Sequence, residues 1–149
     1  MKRVMAVASV GGHWVQLLRI AEGLKGAYDL SFVSTHEKCA TMVEGYRFYY
    51  MRGFSRWDAW RIVPAFFKAV GIVLRERPKV VITTGAAPGL VVLIAARLCG
   101  RRAVWVDSIA NVGHLSLCGR VASRLANRCY TQWEELAGGR VRYAGNVIG

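Results

Sequence analysis

Three short stretches hold the residue types that could do chemistry: Gly11-Gly12-His13, Thr84-Gly85-Ala86-Ala87-Pro88-Gly89 and Asp107-Ser108. The first sets a titratable ring beside a glycine turn whose backbone N–H groups can approach an anion. His13 could equally cap the helix it opens, or bond a nearby carbonyl. The second stretch is another glycine turn at a helix start, as readily structural as ligand-binding. Asp107 ends the apolar run Ala103-Val104-Trp105-Val106. Its carboxylate could accept a sugar hydroxyl, serve as a general base if burial raises its pKa, or cap the next turn through Ser108. Gly11-Gly12 fits neither the G-x-G-x-x-G fingerprint nor a loop ending in G-K-[ST], which argues against NAD binding and ATP hydrolysis. His13, His36 and His114 lie far apart with no carboxylate cluster, so neither a metal nor a cofactor is expected.

Alternating strand and helix patterns must position these groups. Strands are expected at Val4–Ser9, Leu30–Ser34, Arg47–Met51, Val80–Thr84, Ala103–Val106, Cys129–Thr131 and Val141–Tyr143. Helices are expected at about His13–Leu24, Glu37–Glu44, Trp57–Arg77, Pro88–Leu98 and Ser116–Asn127. Apolar strands separated by helices predict an α/β fold, a Rossmann-like doubly wound parallel sheet covered on both faces. No repeat or internal linker interrupts it, so residues 1–149 are expected to form one domain. Ligands of such sheets bind outside the carboxyl ends of the strands. Gly11-Gly12-His13, Ser34-Thr35-His36, Thr84–Gly89 and the loop from Asp107 to Ser116 all arrive at that edge. Small, polar and titratable residues concentrate there while the strands stay apolar.

The chain has 149 residues, 54% of them hydrophobic, and a formal charge of +12 from 21 Lys and Arg against 9 Asp and Glu. Mean hydropathy is +0.26. The dispersed basic residues favour anionic partners such as an acidic membrane face or phosphate-bearing substrates. No basic helix-turn-helix or RNA-recognition motif is evident, and nucleic acid is not expected as a partner. Cys39, Cys99, Cys118 and Cys129 form no C-x-x-C pair and read as small core residues of a reducing cytosol. No signal peptide is expected ahead of the first strand. Val80–Leu98 imitates a membrane span, but Thr83–Gly89 interrupts it with turn chemistry, so a buried strand, turn and helix are expected instead.

Trp57–Arg77 is more apolar than a surface helix requires. Trp57, Trp60, Arg61, Phe66, Phe67 and Lys68 combine aromatic and basic character suited to an acidic bilayer face. A core helix would use many of the same apolar residues, and the two uses are compatible on opposite faces. Ser55-x-x-Asp58 could cap its start, and Pro64 either kinks it or marks its true first turn.

Taken together, Val7–His13 with Gln16-Leu17-Leu18-Arg19, Val81–Gly85, Val104–Ser108, Leu115–Arg120 and Tyr130–Trp133 resemble a known family. It is the membrane-recruiting subunit of two-component UDP-N-acetylglucosamine transferases of asparagine-linked glycosylation. The similar PssD-type subunits of exopolysaccharide and capsule glycosyltransferases match more closely in size. The resemblance implies the amino-terminal, acceptor-side half of a split GT-B glycosyltransferase, similar to the corresponding half of the MurG family. There a glycine-rich loop ending in histidine faces a lipid diphosphate acceptor. By position, Gly11, Gly12 and His13 fall on that loop, with Gly85, Ser108, Asn111 and Ser116 also acceptor-side. A partner subunit would carry the UDP-sugar-binding carboxyl-terminal half. The resemblance implies inverting transfer to a polyprenyl-diphosphate-linked saccharide, with His13 or Asp107 taking the acceptor hydroxyl's proton. It also implies a peripheral place on the cytoplasmic face of the membrane. The family pattern has Glu-Ser with an arginine about three residues on; Asp107-Ser108 is followed instead by Asn111. The alternative within this resemblance is a non-catalytic membrane scaffold that recruits and stabilises the catalytic partner.

Overall fold

The computed structural model describes residues 1–54 and 56–148, without the side chains of Arg56 and Trp57. Trp57, a membrane-surface candidate, and Ser55, a capping candidate, therefore lie outside the described side chains and residues. Among the described residues, seven strands form one wholly parallel sheet in the order β3-β2-β1-β4-β5-β6-β7. They are β1 (Arg3–Val7), β2 (Asp29–Ser34), β3 (Arg47–Tyr50), β4 (Val80–Thr83), β5 (Arg102–Val106), β6 (Arg128–Thr131) and β7 (Val141–Tyr143). Among the described residues the α-helices between them are α1 (Gly12–Glu22), α2 (Ile62–Glu76), α3 (Ala86–Leu98) and α4 (Leu117–Leu125). Glu37–Met42 is a 3-10 turn rather than the expected helix.

The sheet runs outward from β1 in both directions, so β1 and β4 flank its switch point. On one face, α2 and α3 pack on Met5, Val7, Val33 and Val81, and α3 with α4 pack on Ala103, Trp105 and Cys129. On the other face, α1 and the 37–42 turn bury Val4, Ala6, Leu30 and Phe32 under Trp14, Leu17, Ala21 and Cys39. Trp14 meets both Phe32 and Phe48 edge to face, which locks α1 over β2 and β3.

At the amino edge of the sheet a buried acid ties three elements together. Glu76, 2% exposed, ends α2. Its carboxylate accepts from Arg47 Nε at 2.7 Å and from the Tyr49 hydroxyl at 2.7 Å, while Arg3 Nη1 donates to its carbonyl at 2.8 Å. Arg47 also reaches Asp29 at 3.0 Å. Burial pushes the Glu76 carboxyl up, but the Arg47 and Tyr49 hydrogen bonds outweigh it and hold the group below its ordinary value. The same carboxylate raises the Arg47 pKa.

Two expectations need correction here. The single helix over Trp57–Arg77 is a 3-10 turn at Arg56–Arg61 followed by α2, with Asp58 outside helical geometry (φ −125°, ψ 45°). Pro64 explains the break: in the first turn of α2 its missing N–H costs no helical bond, whereas deeper inside it would. Cys39 and Cys129 are buried, but Cys99 and Cys118 are only partly so, because each lies at the end of a helix rather than in its packed stripe. The Val80–Leu98 segment is the expected strand, turn and helix, and no helix among the described residues is long and apolar enough to cross a membrane.

Candidate functional site

The carboxyl ends of β1 and β4 each run straight into a helix. Gly11 leads into α1 with φ 101°, and Gly85 leads into α3 with φ 129°. Both are conformations that a side chain strongly disfavours. Neither helix start receives a side-chain cap, so the first backbone N–H groups of α1 and α3 remain available at the switch point. Two positive helix ends side by side suit a polyanion such as a diphosphate. Ala86, with φ 68°, adds backbone strain to the second loop.

His13 stands between the two loops. Its Nδ1 lies 3.1 Å from the Thr84 carbonyl, and the Thr84 hydroxyl donates to the His13 carbonyl at 2.6 Å. A carbonyl can only accept, so Nδ1 carries the proton, and Nε2 of the neutral ring is left as the basic nitrogen. Of the two structural roles raised for His13, the ring bonds a nearby carbonyl and does not cap the helix it opens. Gly85 permits this, since a Cβ there would sit 2.9 Å from His13 Nδ1 and 3.0 Å from Cε1. The neighbouring loop is tied down by Val10 N–H donating to Thr35 Oγ1 at 2.9 Å.

Asp107 has different geometry. It is 2% exposed, and both carboxylate oxygens are occupied. Oδ1 accepts from Trp105 Nε1 at 3.1 Å and from the Ser116 hydroxyl at 2.6 Å; Oδ2 accepts from Ser116 N at 3.0 Å and Asn111 Nδ2 at 3.2 Å. Ser116 in turn caps α4 by accepting from Gly119 N. The expected cap through Ser108 is therefore made through Ser116, nine residues on, because the loop folds back over the acid. Asn111, in place of the family pattern's arginine, is one of the four donors. This carboxylate holds the β5–α4 loop in shape; with its oxygens committed it is poorly placed to take a substrate proton.

Ser108 belongs to a second buried network that the sequence analysis did not single out. Gln16 donates to Ser108 Oγ at 3.1 Å, and its Oε1 accepts from Ile109 N at 3.1 Å and from Gln132 Nε2 at 2.6 Å. Gln132 also donates to the Asp107 carbonyl and accepts from Val147 N. Two glutamines thus fix α1, the β5–α4 loop and the chain after β7 relative to one another. The available signal was a glutamine on the buried stripe of α1. His36 caps the 37–42 turn and His114 bonds its neighbour's carbonyl.

The outer face of α2 is apolar without being packed. Ala65, Ala69, Ile72 and Val73 face the core, whereas Val63, Phe67 (68% exposed) and Leu74 form an outward stripe that Trp60 (69% exposed) extends. Phe66 is the exception among the surface candidates: it packs partly buried against the core cluster, because its position on the helix turns it inward. Arg61 stacks over Trp60 at 5.1 Å and pairs with Asp58 at 3.3 Å, while Lys68 is exposed. A groove of about 340 Å³ opens beside them between Arg52, Trp60, Arg61, Pro64 and Lys68.

Among the described residues no group of three or more His, Cys, Asp or Glu side chains gathers as a metal set. Residues 56–147, more than half of the chain, match the family described as oligosaccharide biosynthesis protein Alg14 like. The chain belongs to that family. It is 33% identical over 92 residues to the UDP-N-acetylglucosamine transferase subunit ALG14 of Candida albicans, covering 55% of this chain and 41% of that protein. It is also 23% identical, across 97% of its length, to a Prochlorococcus marinus protein, covering 44% of that relative. That protein is a UDP-N-acetylglucosamine–N-acetylmuramyl-(pentapeptide) pyrophosphoryl-undecaprenol N-acetylglucosamine transferase. The chain spans less than half the length of these relatives. Among solved structures, MurG of Acinetobacter baumannii superimposes with a TM-score of 0.82 at 17% identity, over 98% of this chain and 46% of that one. UDP-GlcNAc 2-epimerase of Neisseria meningitidis gives 0.74 at 12%, over 98% and 47%. The fold is thus that of the amino-terminal half of GT-B enzymes such as MurG.

Proposed function

We propose that residues 1–149 form the acceptor-side half of a split, inverting UDP-sugar glycosyltransferase of polysaccharide biosynthesis. In this reading the diphosphate of a polyprenyl-linked saccharide lies across the uncapped starts of α1 and α3, near Gly11, Gly12 and Gly85. A partner polypeptide supplies the UDP-sugar-binding half. The acceptor hydroxyl oxygen attacks the anomeric carbon, the bond from that carbon to the diphosphate oxygen breaks, UDP leaves, and His13 Nε2 receives the hydroxyl proton. Asp107, Asn111, Ser108 and Ser116 act by holding the β5–α4 loop at the edge of the site. The exposed Trp60, Phe67 and Lys68, with Arg61, face an acidic membrane surface at the cytoplasmic side.

The observation that carries this reading is the His13 ring, anchored by Nδ1 to Thr84 between two uncapped helix ends. The deciding experiment reconstitutes the chain with its partner and measures transfer from UDP-sugar to a polyprenyl-diphosphate acceptor. His13→Ala should lower turnover at least ~100-fold, within the usual range for a lost general base. Undiminished turnover would remove His13 from the reaction.

A further inference from the structure

The amino edge of the sheet, opposite the switch point, carries a cluster of cations that the proposed sugar transfer does not use. Three neighbouring strands begin there. Lys79 N donates to the Arg3 carbonyl at 2.9 Å, and Arg102 N donates to the Lys79 carbonyl at 3.2 Å. The starts of β1, β4 and β5 thus set Lys2-Arg3, Lys79 and Arg101-Arg102 side by side. Two strand spacings, about 10 Å, span the row. Arg77, left-handed at φ 53°, brings the chain from α2 into the same corner.

Like charges on adjacent strands repel one another. Arg3 is committed, pairing with Asp29 at 3.6 Å and donating to the Glu76 carbonyl at 2.8 Å. Lys2, Arg77, Lys79, Arg101 and Arg102 make no ion pair with any described acid. Glu76, next to Arg77 in the chain, spends its carboxylate on Arg47 and Tyr49. The negative ends of α2 and α3 account for cations in their last turns, such as Arg75 and Arg97. They give no reason for Lys2, Lys79 and Arg102, which stand at or just before strand starts.

These cations line two adjoining clefts. One, of about 610 Å³, opens between Lys2, Arg3, Arg77 and Lys79; the other, of about 460 Å³, opens between Lys2, Lys79, Arg101 and Arg102. Lys2 and Lys79 border both, and no acidic side chain lines either. Arg101 keeps its Nε buried without a hydrogen-bond partner, an unmet donor beside the second cleft. Three guanidinium forks and two ammonium groups on a concave surface suit oxygen-rich anions of high charge density, which is the chemistry of phosphate. One phosphate group meets only part of a row about 10 Å long; two or more span it.

We propose that the amino-edge clefts bind an anion presenting two or more phosphate groups to Lys2, Arg77, Lys79, Arg101 and Arg102. The groups come from a soluble oligophosphate or from neighbouring headgroups of an acidic lipid surface. Strands of four or five residues hold this site about 15 Å from the switch point, so it is separate from the place proposed for the acceptor diphosphate.

The test compares the full chain with Lys2→Glu/Lys79→Glu, a change at two exposed residues that should leave the ligand-free Tm unaltered. Calorimetric titration with sodium tripolyphosphate reads the soluble source, and sedimentation with phosphatidylglycerol vesicles reads the lipid source. Binding should weaken roughly tenfold or more in at least one arm, and added salt should weaken it in the parent. Loss confined to tripolyphosphate identifies a soluble ligand, loss confined to vesicles identifies headgroups, and loss in both shows one site that takes either. Lys2→Gln/Lys79→Gln, which removes charge without adding acid, should reproduce the loss in the same arm if the reversal lowers Tm. Tripolyphosphate held at the switch point would survive both double substitutions. Equal binding by parent and variants in both arms, or no binding by the parent in either, overturns the proposal and leaves the transfer reading untouched.

Discussion

Replacing Gly85 by alanine tests the geometry of the site most sharply. The new Cβ would lie 2.9 Å from His13 Nδ1 and 3.0 Å from Cε1, and the residue would have to keep φ at 129°. Holding alanine in that region costs about 1–3 kcal/mol. Pushing the ring off the Thr84 carbonyl forfeits a hydrogen bond of about 1 kcal/mol. A total near 3 kcal/mol in a domain of this size lowers Tm by about 6–12 °C. Displacing the ring should also cut turnover of the reconstituted enzyme by ~100-fold, because proton transfer needs the nitrogen within hydrogen-bond reach. The contribution of the ring is separable by a double-mutant cycle read by thermal unfolding. In a His13→Ala background the steric part vanishes, and Gly85→Ala should cost only its backbone strain. Strict additivity of the two substitutions, or an unaltered Tm for Gly85→Ala, would show that the close approach does not govern the ring.

Other consequences follow from the same contacts. Glu76 has a folded pKa below its unfolded value of 4.5, so its stabilisation is full above that pH and drains as pH falls through the folded value. Glu76→Gln should therefore lower the unfolding free energy at neutral pH by about 2 kcal/mol, with the gap to the parent closing in acid; a pH-independent gap in urea melts would contradict this. Asp107→Ala strands four donors and should destabilise by about 2–5 kcal/mol in equilibrium unfolding, an effect that a purely catalytic acid would not have. Trp60→Ser with Phe67→Glu, both at exposed sites, should weaken sedimentation with phosphatidylglycerol vesicles roughly tenfold at constant Tm; unchanged binding would place the membrane contact elsewhere. Burial and the nearby Asp107 charge push the Cys129 thiol up to about 12, so iodoacetamide at pH 8 should leave it unmodified in the native chain.

The strands and the edge at which their turns gather were legible because their signals are local. Apolar runs such as Val80–Thr83 end in glycine or polar turns, and those turns must gather at one edge of a parallel sheet. What stayed hidden depends on residues far apart in the chain. Arg47, Glu76 and Tyr49 read as ordinary surface and strand positions until β3 and the end of α2 are side by side. The reach of Asp107 to Ser116 needs a loop that folds back on itself, and spacing alone pointed to Ser108. Phe66 and Phe67 are equivalent as neighbours in a sequence, but a helix turns one toward the core and the other toward solvent. Pro64 left open whether it kinks one long helix or marks the true first turn, and it stands in the first turn of α2. The partial exposure of Val104 and Val106 was invisible for another reason: both read as buried strand residues, and only the strand order shows that α2, α3 and α4 all pack on the opposite face.

The central claim is that this polypeptide contributes half of a transfer site. Its most direct test is sugar transfer from UDP to a polyprenyl-diphosphate acceptor by the purified chain, by its partner, and by the two mixed. Product should accumulate only in the mixture and should vanish there with His13→Ala. Sustained turnover by this chain alone would contradict the account.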